Sequence, residues 1–289
     1  LAIYSLGVPV GSALGVAVGG WVAAHYGWRT AFVAVGLPGI VLALLMLLLI
    51  REPKRGGLDP VLSGAAVHEA SQGMSAGLAT FFRNRTLVRT AVSSGLSAFV
   101  GYAMLSWNPP FLERVKGMSL TEVATYYSLV LGVTGFIGTF AAGWLVDRLG
   151  RRDRRWYAWV PAIAFAMTLP ALAGVILAPT WQSALAFLAI PALLNNMYLA
   201  PALTVVQNAA PPSQRSLAGA TLLFILNLIG LGGGPLYVGY ISDRATAQGV
   251  EQSLVVGYMA LFPVILLTIG AHLLAARSMR GKSPLQRSS

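Results

Sequence analysis

The most informative part of the chain for its fold is Gly143-Trp144-Leu145-Val146-Asp147-Arg148-Leu149-Gly150-Arg151-Arg152. It closes a long apolar run with one acid and then places three arginines within five residues. Such an abrupt change is typical of a membrane helix that ends at a cytoplasmic surface, because basic loops are translocated poorly. The stretch therefore predicts a membrane-spanning helix upstream and a basic cytoplasmic loop downstream.

The composition of the whole chain also indicates a membrane protein. Of the 289 residues, 56% are hydrophobic and 10% are charged, whereas a soluble globular protein carries about 25% charged residues. A chain this apolar could not cover its surface with polar groups in water. The composition therefore argues against a soluble enzyme, a nucleic-acid-binding protein and a disordered tail, despite a net charge of +11.

Eight runs of the chain are long enough to cross a bilayer, which requires about 20 mostly apolar residues. We therefore predict an all-α integral membrane protein with eight transmembrane helices. The runs cover residues 1–24, 30–50, 88–111, 121–146, 157–178, 182–207, 217–241 and 253–276.

The basic residues predict the orientation of these spans. The connections between the spans alternate between the two sides of the membrane. One side, called the basic end below, consists of residues 51–89, 147–156, 208–216 and 277–289. Of the twenty Lys and Arg residues, only Arg29, Arg114, Lys116 and Arg244 lie outside it. Because cytoplasmic loops collect Lys and Arg, we predict that the basic end and the carboxy-terminus are cytoplasmic.

The longest polar connection divides the chain into parts. It begins Arg51-Glu52-Pro53 and ends in the amphipathic stretch Met74–Phe82, which we expect to lie along the membrane surface. We predict two helices of an amino-terminal bundle at 1–50, a cytoplasmic linker at 51–86, a six-helix bundle at 87–276 and a basic tail at 277–289.

Glycines recur at matching positions in the first and seventh spans. A shift of 219 residues, which equals six spans, places Gly11, Gly15 and Gly20 on Gly230, Gly234 and Gly239. Small residues four apart let two helix backbones approach closely. Such glycines favour tight helix packing, and a smooth contact along which one bundle rocks on another is the further alternative.

The stretch 143–152 resembles the Gly-x-x-x-Asp-Arg-x-Gly-Arg-Arg/Lys signature of the major facilitator superfamily, which follows the second helix of each six-helix bundle. The matching positions are Gly143, Asp147, Arg148, Gly150, Arg151 and Arg152. The resemblance implies two bundles related by a parallel repeat, with this chain supplying helices five to twelve of twelve. We therefore expect the chain to be the carboxy-terminal two-thirds of a longer protein.

A subfamily resemblance rests on scattered positions. Trp107, Pro109, Phe111-Leu112, Arg114 and Gly117-Met118-Ser119 are similar to the seventh helix of spinster-like and organic-anion members. This similarity implies a lipid-like or organic-anion solute.

The superfamily resemblance also implies a gating role for Asp147. In the family, this carboxylate meets the start of a helix in the opposite bundle, here near Leu1–Tyr4. A carboxylate at a helix N-terminus is stabilised by free N–H groups and by the helix dipole. The contact would latch the inner gate while the cavity faces outward, with Arg148 or Arg152 adding bridging charge. A loop that only sets the topology is the alternative.

Polar and aromatic side chains within the spans are the candidates for the substrate cavity. In the family, the seventh and tenth helices line that cavity, and Asn195 and Tyr198 lie three residues apart on one helical face. Hydrogen bonding between helices, without any substrate role, is the alternative for each candidate. The candidates are Tyr102, Trp107, Asn108, Tyr127, Asn195, Asn196 and Tyr198.

Ionisable groups are scarce within the spans. None of the nine acids lies in a span interior, so either a proton-coupling carboxylate lies in helices outside this chain or the protein is not proton-coupled. His272 lies within the last span, where we expect it to be hydrogen-bonded or at the lipid interface. With no Cys and with histidines far apart, we expect neither a metal site nor a cofactor.

These observations predict a secondary active transporter, rather than an enzyme, that moves a small amphipathic or anionic organic solute by alternating access. Protons are a candidate coupling ion. The alternatives are a non-transporting receptor or channel on the same scaffold and a membrane-embedded lipid-modifying enzyme. We expect a small-molecule substrate and the lipid bilayer as partners, no nucleic acid, a monomer when complete, and a bacterial inner-membrane location.

Overall fold

A computed structural model describes residues 2–49 and 74–279, and every regular element within these two ranges is a helix. We number the helices in chain order. They are α1 (Ala2–Tyr26), α2 (Trp28–Leu49), α3 (Met74–Arg83), α4 (Arg85–Arg114), α5 (Leu120–Gly150), α6 (Trp156–Leu177), α7 (Trp181–Ala209), α8 (Pro212–Ala247) and α9 (Ser253–Ser278).

The long helices follow the eight predicted spans and confirm the all-α membrane fold. Among the described residues, α2 and α5 to α9 are long and apolar enough to cross a membrane. Helix α4 is less apolar because it carries four buried hydroxyl side chains. They are Thr90, Ser93, Ser94 and Ser97.

Short polar side chains set several helix starts. The Asn84 side-chain oxygen accepts a hydrogen bond from the Thr86 amide at 2.9 Å, so α4 begins at Arg85. A capping box formed by Ser119 and Glu122 starts α5, and Thr180 and Ser183 form a similar box at the start of α7. These caps satisfy N–H groups that have no partner within a helix.

Three of the long helices contain irregular turns. Residues Val123–Tyr127 of α5 and Asn227–Leu231 of α8 are π-helical, and Asn195–Met197 of α7 form a 3₁₀ turn. Such turns within a helix are frequent at functional positions. Two of the three contain residues that the sequence marks as cavity candidates.

Helices α4 to α9 pack into one bundle. Helix α4 contacts α8 and α9, α6 lies against α7 and α9, and α5 packs against α7. Helix α1 packs against α5, and α2 packs against α1. None of the described residues of α2 is buried, so its surface is open to lipid or protein.

Helix α3 lies within the predicted linker of residues 51–86 and packs against the bundle. Gly77 and Phe81 are buried, whereas Met74 and Phe82 are 71% and 59% exposed. The buried side packs against α4 and α8, with Leu217 directly over Gly77. The helix is amphipathic, as expected for Met74–Phe82, but it docks on the six-helix bundle. The rest of the predicted linker, 51–73, and most of the predicted tail, 280–289, lie outside the described residues.

Lys116 binds the last carbonyl groups of α6, on the side of the bundle opposite the basic end. The Lys116 Nζ atom donates to the carbonyl oxygens of Ile176 at 2.9 Å and Ala178 at 2.7 Å. Burial lowers the pKa of this ammonium group below its ordinary value. The two bonds satisfy carbonyl groups that have no partner within the helix, and they join the α4–α5 connection to α6.

Helices α4 and α8 approach each other at backbone distance. A Cβ atom at Gly234 would collide with the Phe99 carbonyl oxygen and lie 3.1 Å from the Ala103 nitrogen. At Gly230 a Cβ atom would lie 2.6 Å from the Ala98 Cβ atom. Neither backbone can move without shifting a whole helix, so only glycine fits at Gly234.

We expect Gly234→Ala to destabilise the protein by about 1–3 kcal/mol, the usual cost of forcing an extra methyl group into a packed core. The matched control is Gly232→Ala, since a Cβ atom there has only the Asn227 carbonyl oxygen nearby, at 3.9 Å. Alanine favours a helix over glycine by up to about 1 kcal/mol, so the control should not destabilise. Unfolding in detergent checks both variants, and equal stability of the two would contradict the close contact.

Candidate functional site

A groove of about 730 Å³ lies between α1 and α5. Its walls are formed by residues within 13–22 of α1 and 124–133 of α5, and nearly all of them are apolar. The Ser128 hydroxyl in its wall already donates to carbonyl oxygens of its own helix. The groove therefore offers little specific hydrogen bonding and fits an apolar or amphipathic surface.

The contact between α1 and α5 consists of small residues. A Cβ atom at Gly20 would lie 2.8 Å from the Ala124 Cβ atom, and one at Gly132 would lie 3.0 Å from the Ala13 Cβ atom. Among the described residues, no hydrogen bond or ion pair joins the two helices. Their contact is thus made by packing alone.

The same helices are less closely packed toward the basic end. Cβ atoms at Gly7, Gly11 and Gly143 would have no neighbour within 4 Å. Gly15 is likewise uncrowded, although it lies midway along α1. The tight α1–α5 contacts thus lie at the middle of α1, at Ala13, and farther from the basic end, at Gly20.

The signature residues lie at the basic end of α5. Asp147 is exposed and has no hydrogen bond or ion pair with the described residues. The Arg148 guanidinium lies 5.5 Å from the centre of the Trp144 ring, and the Tyr157 ring packs on Gly150. Arg151 and Arg152 are exposed. Leu1, part of the predicted partner segment of Asp147, lies outside the described residues.

Two of the cavity candidates, Asn108 and Tyr127, belong to a buried hydrogen-bonded network. The Tyr258 hydroxyl donates to the Asn108 side-chain oxygen at 2.8 Å, and the Asn108 amide donates to the Tyr127 hydroxyl at 3.3 Å. All three side chains are at most 4% exposed, and the Phe111 ring stacks on Tyr258. The network joins α4, α5 and α9, so Asn108 and Tyr127 have their polar groups turned toward each other and toward Tyr258.

Asn195 differs from the other polar candidates. Its side-chain amide packs on Gly101 of α4, and its buried oxygen has no hydrogen-bond partner in the described part of the chain. The Cβ atom of the neighbouring Asn196 lies near Gly138 of α5, and the Asn196 amide donates to the Ala192 carbonyl oxygen at 3.1 Å. An unsatisfied buried oxygen calls for an explanation, and a ligand that donates a hydrogen bond would satisfy it.

The remaining candidates lie along α4 and its neighbours. Tyr102 and Tyr198 are partly buried and pack against the same apolar cluster at the basic end of the bundle. The Trp107 indole donates to the Pro235 carbonyl oxygen at 2.9 Å and lies over Gly239. The structure thus groups Asn195, Tyr102 and Tyr198 around the α4–α7 contact, whereas Trp107 forms part of the α4–α8 contact.

His272 is hydrogen-bonded, which confirms one of the two expectations for it. Its Nε2 atom lies 2.8 Å from the Ser97 hydroxyl oxygen, and its ring stacks on Phe165 at 6.3 Å between centroids. The side chain is 3% exposed, so it lies within the bundle and away from lipid. Within residues 2–49 and 74–279, no group of three His, Asp or Glu side chains is placed to hold a metal ion.

The sequence interpretation missed Tyr258 and Ser97 as partners. The available signal for Tyr258 was a phenol in the apolar last span. A hydroxyl group in hydrocarbon must find a hydrogen-bond partner. For Ser97 the signal was the row of hydroxyl side chains in α4. Neither signal identifies the partner, because both partners lie on other helices.

We expect Tyr258→Phe to destabilise the protein by about 1–3 kcal/mol, because the buried Asn108 oxygen loses its hydrogen-bond donor. Tyr240→Phe is the control, since Tyr240 is 56% exposed and its substitution should leave stability unchanged. Unfolding in detergent measures both. A Tyr258→Phe protein that kept its stability but changed its substrate affinity would place this network in the substrate site.

The comparisons with known proteins agree with this architecture. The family model of the Major Facilitator Superfamily matches residues 1–235. An MFS-type efflux pump of Mycolicibacterium smegmatis is 32% identical over 271 residues, which cover 94% of this chain and 59% of the pump. A hexuronate transporter of Bacillus subtilis is 24% identical, with coverage of 91% and 62%.

A solved structure shows that the fold is also similar to that of a known transporter. A bacterial homolog of the human lysosomal transporter Spinster, in an inward-facing and unoccupied conformation, superimposes with a TM-score of 0.74 at 28% identity. The match covers 92% of this chain and 64% of that one, so the chain spans about three-fifths of the proteins it matches. From the family model, the relatives and the fold, the chain belongs to the major facilitator superfamily.

Proposed function

We propose that this chain is part of a secondary active transporter that works by alternating access. The observation that carries the proposal is the α1–α5 contact, which is apolar, made by small residues and free of hydrogen bonds among the described residues. Such surfaces separate and re-form without leaving buried polar groups unsatisfied. The contact therefore suits the rocking of one bundle against the other.

The packing along α1 favours an inward-facing state. The close contacts lie at Ala13, in the middle of α1, and at Gly20, farther from the basic end, and no neighbour crowds Gly7 or Gly11. The Spinster homolog that shares the fold is also described as inward-facing. In this state Asp147 has no bonding partner among the described residues, which agrees with a latch that closes only when the cavity faces outward.

We further propose a small organic solute, amphipathic or anionic, as the substrate. Asn195 supplies an unsatisfied oxygen for a donor on the solute, while Tyr102 and Tyr198 supply aromatic surface beside it. Charged residues are absent from this group of three. The relatives include a hexuronate transporter and an efflux pump, so the direction of transport is left to experiment.

The protein is proposed to act as a monomer in a bacterial plasma membrane, with its basic end and carboxy-terminus in the cytoplasm. Sixteen of the twenty Lys and Arg residues support this orientation. In the described helices, each acid lies within about one turn of a helix end. A transporter that couples to protons through a carboxylate in mid-membrane would need that residue outside these helices.

Asp147→Asn should slow transport about two- to fivefold, because the neutral amide loses the attraction to the helix dipole that closes the inner gate. Expression should stay unchanged. Asp243→Asn makes the same charge change near the other end of the bundle and serves as the control. Uptake of labelled glucuronate and of the amphipathic dye ethidium into liposomes that contain the full-length protein measures both variants. Normal turnover of Asp147→Asn would contradict the latch.

The substrate site is tested by a pair of neighbouring variants. We expect Asn195→Ala to raise KM about two- to tenfold, the loss of one hydrogen bond to the solute. Asn196→Ala should leave KM unchanged, because the Asn196 amide is bonded within its own helix. The same liposome assay provides the values. A receptor or channel would instead bind or conduct the solute without concentrating it. Equal effects of the two variants would show that Asn195 is not part of the substrate site.

A further inference from the structure

A second cavity lies within the six-helix bundle at its basic end, away from the α1–α5 groove. It has a volume of about 210 Å³ and lies where the ends of α4, α6, α7 and α9 meet. Val205 and Ala209 provide apolar wall, and the remaining lining residues carry polar groups or flexible side chains. They are Thr86, Arg154, Tyr157, Asn208, Ser278 and Met279.

The cavity presents hydrogen-bond donors that the described protein does not use. Arg154, Tyr157 and Asn208 form no side-chain hydrogen bond or ion pair with any described residue. The two remaining hydroxyl groups are already occupied, since Thr86 donates to the Ser278 carbonyl oxygen at 3.3 Å and Ser278 donates to the Ala275 carbonyl oxygen at 2.7 Å. A guanidinium, a phenol and an amide therefore remain available to an acceptor.

The positive charge of the cavity is not neutralised. No acid is among its lining residues. The nearest acid in sequence, Asp153, is held by Arg155, with its carboxylate 2.9 Å from the Arg155 Nε atom and 2.8 Å from the Arg155 amide nitrogen. The helix dipoles add no net charge, because α4 and α6 begin beside the cavity whereas α7 and α9 end there. The cavity is thus suited to an anion.

The surroundings indicate the depth at which this anion site lies. Trp156 and Trp159 pack edge to face in the first turn of α6, with ring centres 5.4 Å apart. The Arg155 guanidinium lies 5.1 Å from the Trp159 ring centre. Tryptophan and arginine together are typical of the level of the lipid head groups. Lipid phosphates are anions that lie at this depth.

We infer that this cavity binds the phosphate of an anionic phospholipid from the leaflet at the basic end. Arg154 supplies the charge, while the Tyr157 hydroxyl and the Asn208 amide supply hydrogen bonds. Because the lining residues come from the ends of four helices, the bound head group would hold the cytoplasmic side of the bundle together. This site is separate from the proposed substrate site, and its failure would leave the transport proposal intact.

Native mass spectrometry of the full chain in detergent tests the site, with phosphatidylglycerol and phosphatidylcholine as the two lipid probes. We expect Arg154→Gln to weaken binding of the first phosphatidylglycerol about fivefold, as for one basic residue near a charged membrane surface. Binding of phosphatidylcholine should not change. Arg215→Gln is the matched control, because Arg215 is exposed near the basic end and does not line the cavity.

A second variant and a soluble competitor complete the test. Tyr157→Phe keeps the ring that packs on Gly150 and should weaken phosphatidylglycerol binding to a smaller extent than Arg154→Gln. Equal losses in Arg154→Gln and Arg215→Gln would reveal only a diffuse positive surface and overturn the site. Displacement of the lipid by inorganic phosphate or glycerol 3-phosphate at equal concentration would assign the cavity to a free anion and overturn the lipid assignment.

Discussion

The backbone contact between α4 and α8 is the constraint on which the rest of the bundle depends. In lipid, apolar side chains gain little by leaving the solvent, so helices associate through close packing and hydrogen bonds. Gly234 brings α8 onto the Phe99 carbonyl group of α4. At this distance the Trp107 indole reaches the Pro235 carbonyl oxygen. With α4 held on this side, its other faces are directed to α9 and α5, where Asn108 meets Tyr258 and Tyr127.

The polar groups inside the bundle divide by whether they have a partner. Asn108 and His272 are satisfied by groups on other helices, and their hydrogen bonds fix how those helices are oriented. The oxygens of Asn195 and Thr90 are buried without a partner in the described residues. Asn195 packs on Gly101, which precedes Tyr102 in α4, and lies three residues before Tyr198 in α7. Whether a buried polar group has a hydrogen-bond partner therefore distinguishes structural polar groups from a candidate binding group better than its residue type does.

The sequence was sufficient to predict the spans, the basic end and the family, because these depend on local properties: apolar length, charge and the stretch 143–152. It was not sufficient for the contacts, which depend on which helix faces which. Tyr258 lies 150 residues from Asn108, and the spacing of residues within either helix does not show that the two side chains meet. Asn195 and Asn196 are adjacent in a 3₁₀ turn, yet the Asn195 amide packs on α4 whereas the Asn196 amide bonds within its own helix. The docking of α3 was missed for the same reason, since an amphipathic pattern does not distinguish a lipid surface from a protein surface.

The glycines of the 219-residue repeat lie in two different kinds of contact. In α8, Gly230 and Gly234 lie against α4 within one bundle, where any side chain would separate the helices. In α1, a Cβ atom at Gly20 would lie 2.8 Å from the Ala124 Cβ atom and 3.4 Å from its Cα atom, and Gly11 and Gly15 have free space. A contact that must hold uses backbone against backbone and adds hydrogen bonds, as Trp107 does. A contact that must open uses small side chains and adds none. On this physical ground we propose that glycine keeps the six-helix bundle rigid at the α4–α8 contact, whereas at the α1–α5 contact it permits movement.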